Sequence, residues 1–554
     1  MIKYLSTILL SAVLVSALAM PAVAAPPKPA TVTLTDEQRM LFEETLTRDE
    51  AKQLADEYLE SLTATYVETY KFPPALVELL EADKRVRNIF ISALDPARDN
   101  ITQAAQIFED LRSIDPERVI KYAHLATAIA VVYDQPAMAT REVGIIIWGV
   151  AAGQFPPPVA YRDIYDYYSN PPKSRRFAYP PNKLPWPMQV YIIDNGVAAK
   201  ERAWAHKKFN RGVQVGDLYR RVTYDRDKLA KKKSRLGTRA YTLKNLLRYG
   251  GVCGDQAYFA SRVAKCFSVP AMSVRGVNRY GNSHAWLGYL TSYKGRAMLH
   301  FSGRYLRDYY YTGDVQNPQT GGTILDRHIA MMFDGLSVSY EKYELTRILI
   351  RLADQLQADE PDLSVALVER ALDANPYMPK GWRVLMAHFR TNELTKAQAL
   401  KWFNIMLKVL KKHPDMTFEC LKTFLASYPQ KDFASRRKLY SKALNLYTGR
   451  PDLQFKLLLD LANEMVAADQ KPQALKMLIG PIVRYAKEGS VIIPATQLAV
   501  RLATELKVQK KAHSMLSKAL ITFPKRRSRN SKPSETYKEF EALLKQLELA
   551  AMKR

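Results

Sequence analysis

The chain has 554 residues, of which 47% are hydrophobic and 10% aromatic, so it is too apolar for an intrinsically disordered polymer and long enough for about three folded units. Lysine and arginine outnumber aspartate and glutamate 82 to 55, a formal charge of +27 that excludes an acidic solvating tail and points to anionic partners. Three cysteines, Cys253, Cys266 and Cys420, are too few for a disulfide framework.

The chain opens with a basic residue, Lys3, an apolar run from Leu5 to Ala19, and Ala22-Val23-Ala24. A positive start, a short apolar run and an A-x-A site form the pattern of a secretory signal peptide, expected over 1–24 with cleavage after Ala24. The run is too short to span a bilayer, which needs about 20 residues. The mature protein is therefore expected to be periplasmic or extracellular, without a transmembrane segment. There an odd number of cysteines leaves at least one thiol free.

Residues 31–195 read as a helical N-terminal region with a proline-rich end. Between Thr31 and Arg118, nineteen acidic side chains face ten basic ones. Apolar residues recur every three or four positions behind Thr or Asp starts, as in Asp49 to Leu62, which predicts capped amphipathic helices. Nine prolines fall between Pro156 and Pro187, predicting a linker or an extended wrapping segment.

A basic run follows, with fifteen basic against four acidic side chains in residues 201–250. It serves either as a solvated face or as a docking surface for a polyanion. Beyond it the period changes. A helix is predicted from Cys253 to Phe267, followed by β-rich runs at Met272 to Val277, His284 to Leu290 and Met298 to Phe301. From about Glu341, helical patterns of 12 to 18 residues succeed one another, several closing on proline as at Asn375-Pro376, His413-Pro414, Tyr428-Pro429 and Phe523-Pro524. Such helix pairs resemble a tetratricopeptide-type array, expected over 341–554.

The chemistry concentrates in Gly250-Gly251-Val252-Cys253-Gly254-Asp255. Two glycines permit a tight loop that delivers Cys253 to the first turn of a helix, where free N–H groups and the helix dipole are expected to lower the thiol pKa. Cys266 lies about 20 Å further along that helix at ~1.5 Å per residue, beyond disulfide reach. With Cys420 it reads as a core residue. A thiolate nucleophile needs a base. His284 opens a strand whose alternation puts it on one face with Trp286.

This stretch resembles the transglutaminase-like superfamily, whose fold is papain-like, through Cys253, Asp255, Ala257, Pro270, Ala271, His284, Ala285 and Trp286. The resemblance covers about 70 residues directly and implies a central α+β domain, expected over 196–340. The expected fold class is thus mixed, with mostly α-helical N- and C-terminal regions around a transglutaminase-like domain. The resemblance implies Cys253 as nucleophile and His284 as its base.

The family's third member, an Asp on the next strand, is not matched. Ser302 stands at the equivalent position, and Asp308 is the nearest acidic replacement. Ser268 and Met272 also depart, standing where the family favours Gly and Arg. An oxyanion hole would use the Cys253 N–H with a side-chain donor upstream, for which Asn245 is a candidate. The cluster Tyr305, Tyr309, Tyr310 and Tyr311 either walls the cleft or packs on a loop.

The expected function is an exported cysteine-dependent acyl-transfer enzyme acting on protein or peptide amides, as protease, deamidase or transglutaminase. The alternative is a catalytically inactive version of the same fold serving as an envelope binding or scaffold protein. No cofactor or metal motif is present: the sequence contains no phosphate loop, no H-E-x-x-H and no zinc spacing. An anionic envelope polymer or an acidic protein suits the charge better than nucleic acid, for which no recognition motif is present.

Overall fold

The computed structural model describes residues 47–552 apart from 136–149, 173, 210–213, 232, 294–295, 305–309, 392–393, 428–432 and 526–531. The signal-peptide pattern of 1–24 lies outside the described residues, as do Asp308, Tyr305 and Tyr309.

The chain is mostly helical around one small antiparallel sheet. The N-terminal region begins with the Arg48–Tyr70 helix. Thr47 caps it by accepting from the Glu50 N–H while the Glu50 carboxylate takes the Thr47 N–H, a reciprocal capping box. Helices Pro74–Ala82, Lys84–Ala93, Ile101–Ile114 and Ala123–Tyr133 follow, the last almost wholly buried because its apolar run is continuous rather than one-sided.

The proline-rich stretch corrects the expectation of an extended segment. Its prolines cluster at Pro156–Pro158 and from Pro171 onward, leaving a proline-free interval that folds into the Tyr161–Ser169 helix. Pro185 and Pro187 flank Trp186 at the start of the Trp186–Ile193 helix, where a missing N–H is tolerated.

The sheet has the order β3-β2-β1-β4-β5, with β1 Ala271–Val277, β2 Ser283–Tyr293, β3 Arg296–Ser302, β4 Asp314–Gln316 and β5 Thr323–Leu325, and every pairing in it is antiparallel. The Cys253–Cys266 helix packs along β1 and β2 and is buried on nearly all sides. It turns into β1 through Ser268, whose φ of +58° lies in the left-handed region. The serine thus stands at a position where glycine is conformationally favoured.

The C-terminal helices include Tyr340–Leu356, Pro361–Ala374, Pro379–Arg390, Pro414–Ser427, Pro451–Ala467 and Ile493–Glu505. Pro414, which the sequence suggests as a closing signal, opens the next helix, as do Pro361, Pro379 and Pro451, because position N1 needs no N–H donor.

One buried core runs from Ala51 to Phe424, crossing positions 195 and 340 without interruption, and a second runs from Phe418 to Leu547. Among the described residues no helix is long and apolar enough to cross a membrane.

Candidate active site around Cys253 and His284

The approach to Cys253 is built on backbone. Thr223 and Asp225 bracket Gly251: the Gly251 N–H donates to Thr223 O at 3.0 Å, and Gly251 O accepts from the Asp225 N–H at 2.9 Å. Gly250 has φ +82°, and a Cβ there would stand 2.5 Å from Thr223 O. A Cβ on Gly251 would fall 2.3 Å from that of Asp255. Both glycines are therefore required for the chain to pass this close and enter the helix at Cys253.

Asp255 holds the turn in place. Its carboxylate accepts from the Val252 N–H at 2.7 Å, from Lys228 Nζ at 2.8 Å and from the Tyr241 hydroxyl at 2.8 Å, and the residue is 1% exposed. Lys228 is itself positioned by Asp225, which accepts its N–H and that of Arg235. A buried charge survives only with such a set of donors. Asp255, a motif residue, anchors the helix start and makes no bond that would bring it to the reacting atoms.

Cys253 is partly exposed, whereas Cys266 and Cys420 are buried; all three are free thiols. The Ala285 and Gly254 N–H groups favour its thiolate, but burial outweighs them, the Asp255 charge opposes ionisation, and the thiol is pushed up. This overturns the sequence expectation of a lowered pKa, because the helix-start N–H groups act against a desolvated site and a nearby anion. Burial raises Cys266 further, to about 12.

His284 lies on β2 directly before Ala285, whose N–H faces the Cys253 sulfur, so helix packing brings the two candidate residues to one locus. The imidazole is 7% exposed, and its Nε2 donates to Gly303 O at 2.8 Å. A carbonyl can only accept, so this bond fixes the proton on Nε2 and makes Nδ1 the basic nitrogen of the neutral ring. Around the ring stand Tyr310 at 5.2 Å, Trp286 at 6.1 Å and Tyr219 at 6.5 Å between centroids. His284 and Trp286 do share a face, with Trp286 fully buried beneath the site.

The third position differs from the expectation. Ser302 ends β3 opposite Leu287, and its Oγ donates to Gly216 O at 2.5 Å rather than accepting from His284. The group that His284 Nε2 addresses is the next residue's carbonyl. Gly303 can present it because φ is +81°, and a Cβ would come within 2.5 Å of the Tyr219 ring. Asn245, the sequence candidate for an oxyanion donor, gives one Nδ2 hydrogen to Ala240 O at 2.8 Å, just before its own helix.

Sequence reasoning missed Tyr219, which comes from the Val215–Arg221 helix and donates to Ala285 O at 2.8 Å, bracing the peptide that faces the thiol. Arg304 was missed too. Its guanidinium takes the carbonyls of Tyr310, at 2.8 Å, and Tyr311, and lies 3.6 Å from the buried Asp326, fixing the backbone of these two tyrosines. Tyr310 therefore walls the imidazole, and Tyr311 turns to Glu488 of the C-terminal helices at 2.7 Å. Among the described residues no group of three or more His, Cys, Asp or Glu side chains could hold a metal.

Comparison with protein-family models, with curated proteins and with solved structures finds no match for this chain.

Proposed function

We propose that the protein is an exported cysteine-dependent acyl-transfer enzyme of transglutaminase-like type that acts on amide or peptide bonds. The observation that carries this is a partly exposed helix-start thiol faced by the Ala285 N–H, with His284, one residue earlier on the same strand, holding its proton on Nε2 against Gly303 O.

Because the resting thiol is protonated, the imidazole acts as general base at the moment of attack. The Cys253 sulfur bonds to the substrate carbonyl carbon as its proton passes to His284 Nδ1, and the carbonyl π pair moves to oxygen. First-turn N–H groups at Cys253 and Gly254 receive that oxyanion. Its collapse breaks the C–N bond, the amine leaves with the proton from the imidazolium, and a thioester remains. Water resolves it to an acid, or a second amine to a new amide. The Gly303 carbonyl orients the ring as the family's Asp does, but with a partial rather than a full charge to stabilise the imidazolium.

Export is supported by the signal-peptide pattern over 1–24. The test is incubation of the protein with a casein-like acceptor and a fluorescent primary amine, alongside measurement of released ammonia. Amine incorporation or ammonia release that is lost in Cys253→Ala supports the reading, and equal turnover by that variant rejects it.

A second reading is favoured by the raised thiol pKa and by the C-terminal helices seated on the site's rim through Tyr311 and Glu488. In it the fold is catalytically silent and serves as an envelope binding or scaffold module. Cells carrying Cys253→Ala would then keep the phenotype of the intact gene, whereas a deletion would not.

A further inference from the structure

A cavity of about 670 Å³, remote in its lining from the cysteine site, lies between the Arg48–Tyr70 helix, the turn around Leu94 to Arg98, and the Tyr340–Leu356 helix. Its volume falls within the range of small-molecule sites, roughly 300 to 1,000 Å³. The first helix contributes Tyr58, Tyr66 and Tyr70 on one face, with Tyr66 and Tyr70 edge to face at 5.5 Å. Opposite them stand Arg347 and Arg351, one helical turn apart and so on the same face.

The charges of the lining do not cancel. Arg98 pairs with Asp95 at 3.4 Å, and Lys380 with Asp354 at 2.7 Å. Arg351 donates to the Tyr66 hydroxyl and, at 2.9 Å, to Leu94 O, both uncharged acceptors. Arg347 lies with its guanidinium 4.9 Å over Trp186, and its Nη2 is buried without a hydrogen-bond partner among the described residues. Glu344, whose charge supports that of Arg347, is engaged by the Tyr340 hydroxyl at 2.5 Å and by Ser92 at 3.4 Å. Burial and the neighbouring Arg351 both work against Arg347's charge. Four basic side chains, Arg98, Arg347, Arg351 and Lys380, face two acidic ones, Asp95 and Asp354, in the lining, which leaves it net positive.

We infer that this cavity is a binding site for a small organic anion, its carboxylate or phosphate received by the Arg347 and Arg351 side chains of the lining and its ring-shaped body lying against Tyr66 and Tyr70. Tyrosine faces and edges accept a planar or apolar ring, and the paired arginines give the fork geometry that carboxylate and phosphate match. The inference does not depend on the cysteine chemistry.

Isothermal titration of the full chain with benzoate, phenyl phosphate and uncharged benzamide tests it. Saturable binding of at least one anion, tighter than benzamide by about tenfold or more, is the expected result. Preference between benzoate and phenyl phosphate identifies the anionic group. Arg347→Gln should weaken the anion about tenfold or more. Tyr70→Leu, at the half-buried rim and so less exposed to misfolding, should weaken both aromatic anions while Cys253→Ala leaves them unchanged. Absence of saturable binding to the wild-type chain, equal affinity for benzamide, or anion affinity unaltered in a folded Arg347→Gln or Tyr70→Leu variant overturns the proposal.

Discussion

Cys253 combines two opposed influences: first-turn N–H groups that favour a thiolate and a desolvated, anion-flanked position that does not. Because the second prevails, alkylation of Cys253 by iodoacetamide should keep accelerating as pH rises above the ordinary cysteine range near 8.5, instead of levelling off near neutrality. A pH–rate profile followed by mass spectrometry checks this. At Gly303, an added methyl group meets both a left-handed backbone and the Tyr219 ring. Gly303→Ala should lower stability by about 1–3 kcal/mol, measured from the urea midpoint, and disturb the carbonyl that holds His284. Cys253 and His284 stand out in the sequence as candidates because their chemistry resides in side chains with a recognisable spacing. The acceptor for His284 was not, because a main-chain carbonyl carries no residue signature; seeking a side chain there led to Ser302, one position too early.

The Cys253–Cys266 helix and the first three strands form the element that places the site, and their predicted spans lie close to the observed ones because each is long enough to show a period. Strands β4 and β5, of three residues each, are too short to reveal alternation. The Tyr161–Ser169 helix was hidden by prolines that flank it without entering it.

Two substitutions test what holds this element. Ser268 occupies a left-handed position, and its buried hydroxyl has no hydrogen-bond partner among the described residues, so Ser268→Gly should stabilise the fold by about 1 kcal/mol in equilibrium denaturation. Lys228→Met would leave the Asp255 carboxylate buried without its cation and should cost about 3–5 kcal/mol, read from the same curves.

At the scale of the molecule, the N-terminal helices, the sheet and the first C-terminal helices share one core, a continuity no local pattern could disclose. The +27 charge is likewise not a simple coat. Arg202, Lys228, Arg262 and Lys265 are buried, where they meet aromatic rings, carbonyls and carboxylates.

Asp99 joins the N-terminal helices to the β4–β5 connection through Gln319, whose Nε2 reaches it at 3.1 Å. Burial, with Asp134 nearby, pushes its carboxyl to about 8, and burial pushes Asp134 to about 7. A carboxyl whose folded pKa exceeds its unfolded value near 3.9 stabilises the fold at acid pH, and that stability is lost as pH rises through the folded value. The melting temperature should therefore decline between about pH 4 and pH 8 from this source, and Asp99→Asn should flatten the decline.

The central claim, that Cys253 is a nucleophile served by His284, is most directly tested by competitive labelling of the native protein with an electrophilic cysteine probe at neutral pH, with each thiol quantified by mass spectrometry in wild-type and His284→Ala chains. Cys253 should be labelled far ahead of Cys266 and Cys420 and should lose that lead when His284 is replaced in a folded variant. Equal labelling of the three thiols, or a Cys253 lead that persists unchanged without His284, would contradict it.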